Sequence, residues 1–185
     1  DANACSLSLS TNITTVACCN VTSGGSINGS TTSCGPVCGV VLGNTNLPAG
    51  GLGATEYIWI KNSQPNYPNT GNNGWSGIPN SNSPTLSVGC VSVTTYFIRC
   101  ARKVSCGGPF IGESNMVSVI INPAPIVTAN CNTTSICFGG STTVNISATG
   151  GTAPYTGVGI YTVSSGPYSF TVTDANGCSG SVSGN

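Results

Sequence analysis

Charge is what this chain has least of. Four basic and four acidic side chains serve 185 residues, 4% of the total, where an ordinary soluble domain carries roughly a quarter. That scarcity excludes the basic footprint on which nucleic-acid or anionic-lipid binding rests. Histidine is missing altogether, which removes the commonest general base and the usual partner of a catalytic cysteine. The carboxylates are Asp1, Glu56, Glu113 and Asp174. A glycosidase needs two of them facing one another, and here Glu56 and Glu113 read instead as a strand-edge charge and a turn-stabilising charge, paired with Arg99 or Arg102. No nucleophile elbow or phosphate loop occurs. Cys34-Gly-Pro-Val-Cys38 is the only compact cysteine pair, with no second pair or histidine to complete a zinc set. The expectation is a non-enzymatic protein with no catalytic, cofactor-binding or metal residues. No apolar run of 18 residues is present either, so no segment reads as a membrane-spanning helix.

What the chain does have is cysteine, glycine and small polar residues. Ser, Thr, Asn and Gly supply about half of it, and they must carry its solubility, alone or with attached glycans. Eleven cysteines point to an oxidising compartment, because cytosolic reductants would keep them as thiols. The chain begins at Asp1 rather than Met, as expected of a secreted, extracellular or cell-surface protein after signal-peptide removal. The odd count leaves at least one cysteine free, bonded to another chain, or paired outside the sequence. Spacing suggests Cys137 with Cys178, closing a loop of about 40 residues worth roughly 3–4 kcal/mol in the entropic model. It also suggests Cys100 with Cys106, as a local staple. Asn12, Asn20, Asn28, Asn132 and Asn145 open N-x-[ST] motifs and are the glycosylation candidates.

Helix signals are almost absent. β-Branched and aromatic runs alternate with Gly, Pro, Asn and Ser clusters about every ten residues, the pattern of an all-β sandwich or barrel. The strongest predicted strands are Tyr57–Lys61, Thr94–Arg102, Met116–Ile121, Thr142–Ala148 and Tyr168–Thr173. Three segments follow: a Ser/Thr/Asn-rich, cysteine-rich strand-forming extension or arm over residues 1–46, a sandwich over 47–122, and a second sandwich over 123–185. The prolines of Asn122-Pro-Ala-Pro125 form a stiff linker between the last two. In the middle segment Tyr57 and Trp59 share one strand face, and Tyr96, Ile98 and Cys100 another, an immunoglobulin-like arrangement with the tryptophan at the sandwich centre. Asp174-Ala-Asn-Gly177 has the opening of a calcium loop but no second acidic residue to continue it. A turn, with Asp and Asn bonding their own backbone and Gly at positive φ, is the expected structure.

The stretches YIWIKNS, WSGIPNSNSPTLSVG, TTYFIRCARKVSC and GESNMVSVIIN resemble the PKD/Ig-like modules of large secreted surface proteins of Bacteroidetes. CFGGSTTVNISATGGTAPYTGVGIYTVSSGPYSFTVTDANGCSGS resembles the SprB-type repeat of the same adhesins and gliding-motility filaments, most recognisably at GGTAPYT and TVTDANGC. Together they cover about 130 residues. The resemblance implies tandem Ig-like β-sandwiches in an extracellular structural or adhesive protein, a subunit of a cell-surface filament or surface layer. Self-association with other copies is the expected partnership. An arm such as residues 4–16 either inserts as a strand into the next subunit or folds back on its own chain. The alternative is a secreted carbohydrate-binding module that contacts surface glycans through Trp75, Tyr67 or Tyr155.

Overall fold

The structure is a computed structural model that describes residues 20–66, 74–106, 109–133, 135–137 and 139–185. In chain order its strands are β1 (Ser26–Asn28), β2 (Thr31–Cys34), β3 (Val41–Asn46), β4 (Thr55–Asn62), β5 (Ser76–Gly77), β6 (Leu86–Ser87) and β7 (Thr95–Lys103). There follow β8 (Gly112–Glu113), β9 (Val117–Asn122), β10 (Ile126–Cys131), β11 (Ser141–Thr149), β12 (Gly159–Ser164), β13 (Tyr168–Thr173) and β14 (Ser179–Gly184). No α-helix occurs among the described residues. The fold is all-β, as the alternation and the turn residues require.

The chain divides into two compact units. The first takes residues up to Thr31 and Val37–Ile120, the second Thr32–Pro36 and Ile121–Asn185. The described part of the segment read as an N-terminal extension is thus shared out. Residues 20–31 and 37–46 build β1 and β3 of the first unit, whereas 32–36 belong to the second. The arm proper, residues 1–19, lies outside the described residues.

In the first unit β3 lies between β1 and β6, and β7 and β4 form the middle of a second sheet flanked by β9 and β5, with β8 also on β7. The β4–β7 ladder is antiparallel and unbroken over eight pairs, from Thr55↔Lys103 to Asn62↔Tyr96. Its register fixes which side chains share a face, since residues alternate across a strand. Ile58, Ile60, Tyr96, Ile98 and Cys100 lie on one face, where Trp75, Phe110 and Met116 pack on them. Trp59, Phe97, Arg99 and Ala101 lie on the other, and none is more than 1% exposed. Both faces of the central strands are therefore covered, which is why β7 reads FIRCA without a solvent-facing residue.

The second unit is thinner. β11 lies between β10 and β12, and β13 pairs only with β14. Its core buries Val144, Ile146 and Val172, surrounded by partly buried Val127, Tyr155, Tyr161, Val163, Tyr168 and Phe170 among others. Tyr161 and Tyr168 both lean on Phe170, with ring centroids 4.7 and 5.9 Å away, in tilted contacts that add modestly to area burial.

Candidate functional site

Two of the described carboxylates, Glu56 and Asp174, are occupied within the fold. Glu56 Oε2 meets Arg102 Nη2 and Nε at 2.7 Å, and the same guanidinium lies 4.5 Å over the Phe110 ring. Of the two arginines proposed for Glu56, Arg102 is the partner. Glu113 sits on β8 opposite Cys100, and partial desolvation raises its pKa. Asp174 closes the turn after β13. Its Oδ1 accepts from the backbone N–H of Asn176 and Cys178, and its Oδ2 from that of Thr152, each at 2.9 Å. Desolvation pushes the carboxyl's pKa up, but those donors together outweigh it and hold the pKa below the ordinary value. Asn176 bonds Thr152, and Gly177 takes φ 79°. The carboxylate that resembled a cation ligand is satisfied by the backbone of its own turn. No group of three or more His, Cys, Asp or Glu comes together among the described residues.

Arg99 is the chemical centre of the first unit. It faces Trp59 across the β4–β7 ladder and is fully buried. Its Nη1 donates to Asn44 Oδ1 at 2.6 Å and to the Pro84 carbonyl at 2.9 Å. Its Nη2 donates to the carbonyls of Gly24 and Asn46 at 2.9 and 3.1 Å. All four acceptors are on or beside the β1–β3–β6 sheet, so one guanidinium holds the two sheets together. The Tyr57 ring lies 5.5 Å from its carbon. Burial lowers the pKa and Tyr57 opposes the shift, while the five-donor fork remains a cation. Nε has no partner among the described residues. Trp59 reinforces the arrangement by donating Nε1–H to the Ser83 carbonyl at 2.9 Å. Arg99, expected to pair with a carboxylate, binds amide oxygens instead. The signal in the sequence is its place between Phe97 and Ala101, the inward positions of the same strand. Gly24, whose carbonyl it grips, is pressed so close to the Glu113 backbone that a Cβ would meet it at 2.1 Å.

The cysteines pair differently from the spacing argument. Cys178 is bonded to Cys34, 144 residues away, and Cys38 to Cys90, 52 residues away. Cys137 is free and exposed, so the expected Cys137–Cys178 bridge is replaced. Gly35 N–H bonds the Asn122 carbonyl at 3.0 Å, which holds residues 32–36 beside the start of the second unit. A cysteine from this early segment thereby becomes the neighbour of Cys178, a proximity that linear spacing does not show. Cys100 is free and buried, whereas Cys106 is disulfide-bonded, so the expected staple between them is absent too. Cys100 lies among Trp75 and Ile98, and desolvation first, then Glu113, pushes its thiol up to about 12.

Two of the three aromatics considered for ligand contact are engaged internally. Trp75 is 4% exposed in the core and donates its indole N–H to the Asn66 carbonyl. Tyr155 packs on the second unit's core and donates its hydroxyl to the Gly150 carbonyl. Tyr67 lies outside the described residues, as does Asn12. Asn28, Asn132 and Asn145 are exposed. Asn20 is half-buried, and its Oδ1 accepts from the backbone of Val21 and Lys103.

One unpaired strand edge of the described surface is the β12 margin of the second unit. β12 pairs with β11 in an unbroken register from Ser141↔Ser164 to Ile146↔Gly159, and no described strand pairs its other edge. Ile160, in the middle of it, is 73% exposed. Beside its end lies a groove of about 320 Å³ lined by Cys131, Ile136, Val163, Tyr168 and Asn185 among others. Within it the Tyr168 hydroxyl and the Cys131 sulfur are 3.4 Å apart. The outward face of this sheet carries Thr128, Asn130, Thr143, Asn145 and Thr162, all uncharged and exposed. Compared with known proteins, the chain matches no family model and no curated protein sequence.

Proposed function

We propose that this protein is a non-enzymatic extracellular structural subunit, one that self-associates in a cell-surface filament or surface layer of the Bacteroidetes adhesin type. The observation that carries the reading is where the polar chemistry has gone. Arg99, Arg102, Glu56 and Asp174 all bond within the fold, and the surface left over is hydroxyl- and amide-rich with an open strand edge. A surface of that kind supports packing against like surfaces through backbone pairing rather than recognition of a charged ligand. Two disulfides closing long loops suit an oxidising compartment. Against the carbohydrate-binding alternative stand the burial of Trp75 and the partial burial of Tyr155, whose hydroxyl bonds the Gly150 carbonyl. The test is sedimentation velocity of the non-reduced protein over a wide concentration range, with a glycan array in parallel. Concentration-dependent oligomers with a blank array are expected; a monomer that binds a glycan would replace this reading.

A further inference from the structure

We infer that the β12 edge of the second unit accepts, as an added strand, residues 6–17 of another copy of the chain. The inference deepens the self-association proposed above and rests on it. Three observations locate the acceptor. The two margins of the β10–β11–β12 sheet differ: β10 is flanked by β14, where Gly180 approaches the Pro125 carbonyl so closely that a Cβ would stand 2.1 Å away. β12 has no such cover among the described residues. Its sequence Gly-Ile-Tyr-Thr-Val-Ser also lacks the charges, prolines and bulges by which edge strands are normally blocked. Finally, Tyr161 and Val163, the inward residues of β12, are only partly buried, while Ile160, paired with the exposed Asn145, leaves an apolar side chain 73% exposed on the outward face of the same edge. Another strand alongside would extend the apolar face inward of β12.

The occupant follows from pattern and length. Nineteen residues precede the first described one. Within residues 6–17, SLSLSTNITTVA, which carry no charge, Leu7, Leu9 and Ile13 fall at odd positions and Ser6, Ser8, Ser10, Asn12 and Thr14 at even ones, with Thr11 and Thr15 also odd and the alternation ending at Val16. β12 places Tyr161 and Val163 inward and Thr162 and Ser164 outward, with Ile160 the one apolar residue on its outward face. A strand paired with it would set leucines over the half-buried aromatics and serines beside the exterior hydroxyls. Pairing all six β12 residues needs about 20 Å of extended chain, and twelve residues reach about 40 Å. Head-to-tail repetition of such a contact builds a fibre wherever the rotation between copies does not close into a ring.

The test compares full-length wild type with Ile160→Lys, Leu9→Lys and the control Ile126→Lys, whose site is also exposed, on β10. Thermal melts serve as the check on folding. Both Ile160→Lys and Leu9→Lys are expected to weaken association at least about tenfold, with Ile126→Lys unchanged, because an edge lysine blocks strand addition. As an independent arm, a synthetic peptide of residues 6–17 in excess is expected to dissociate wild-type assemblies. Assemblies indifferent to both Ile160→Lys and the peptide would overturn this acceptor while leaving self-association intact. A wild type monomeric at every concentration, including one whose own arm folds back, would overturn the reading beneath it as well.

Discussion

The two units use the same alternating strands to different ends. In the first, the β4–β7 ladder is covered on both faces, and its centre holds a tryptophan and an arginine that both reach across to the opposite sheet. In the second, the hydrophobic core cluster buries three residues inside a half-covered ring of aromatics and valines, and the β12 margin has no described partner strand. The number of layers over the central strands makes the difference. A doubly covered sheet can bury a cation if every donor finds an acceptor, whereas a thin sandwich keeps an edge that a further strand can complete. The first unit covers both faces of its central ladder, whereas the second leaves the β12 edge without a described partner strand.

The comparison is broken hardest by removing what ties down the thin unit. Cys34→Ser opens a loop of 144 residues, for which the entropic model gives roughly 5 kcal/mol. In non-reducing differential scanning calorimetry the second unit's transition is expected to fall well below the first's. Arg99→Met comes next. It leaves the Gly24, Asn46 and Pro84 carbonyls without their donor, at a cost on the order of 4 kcal/mol, seen as a lower urea midpoint of the first unit. Arg99→Lys is not expected to restore it, because an ammonium cannot reproduce the planar fork. Trp75→Ala is expected to cost about 3 kcal/mol of the first unit's stability, and Ile160→Ala, at an exposed position of the second, less than about 0.5 kcal/mol. If the two were equal, the contrast in burial would be wrong.

Smaller effects sharpen the same contrast. With a thiol reagent under native conditions Cys137 should react first and Cys131 more slowly. Cys100, buried with its pKa pushed up to about 12, should react only on unfolding; mass mapping of the labelled peptides gives the order. Asp174 contributes through a folded-state pKa below its unfolded value. Its stabilisation is therefore complete at neutral pH and lost as pH falls below roughly 4, through the lowered folded value. Melts from pH 7 to 2 should show that loss in wild type and not in Asp174→Ala.

The all-β class was legible because period-two alternation and turn residues are local properties. Trp59 at the centre of the first unit follows from the parity of Tyr57-Ile-Trp-Ile, and the turn at Asp174 from residues that bond their own backbone. The disulfides were not legible. Cys34 reaches Cys178 because residues 32–36 join the later unit, an event of chain topology that spacing between cysteines does not encode. Trp75 was hidden for a similar reason. It follows a polar, glycine-rich stretch, but β5 pairs with β4 and brings it onto Ile98. Arg99 was misjudged on chemistry: four carbonyl and amide oxygens replaced the expected carboxylate, and those oxygens are backbone groups or asparagines far away in sequence.

Electron microscopy of the purified, non-reduced protein bears most directly on the claim that this is a self-associating structural subunit. Ordered polymers with a constant axial repeat at neutral pH are the expected result. Monodisperse single particles at every concentration would contradict it.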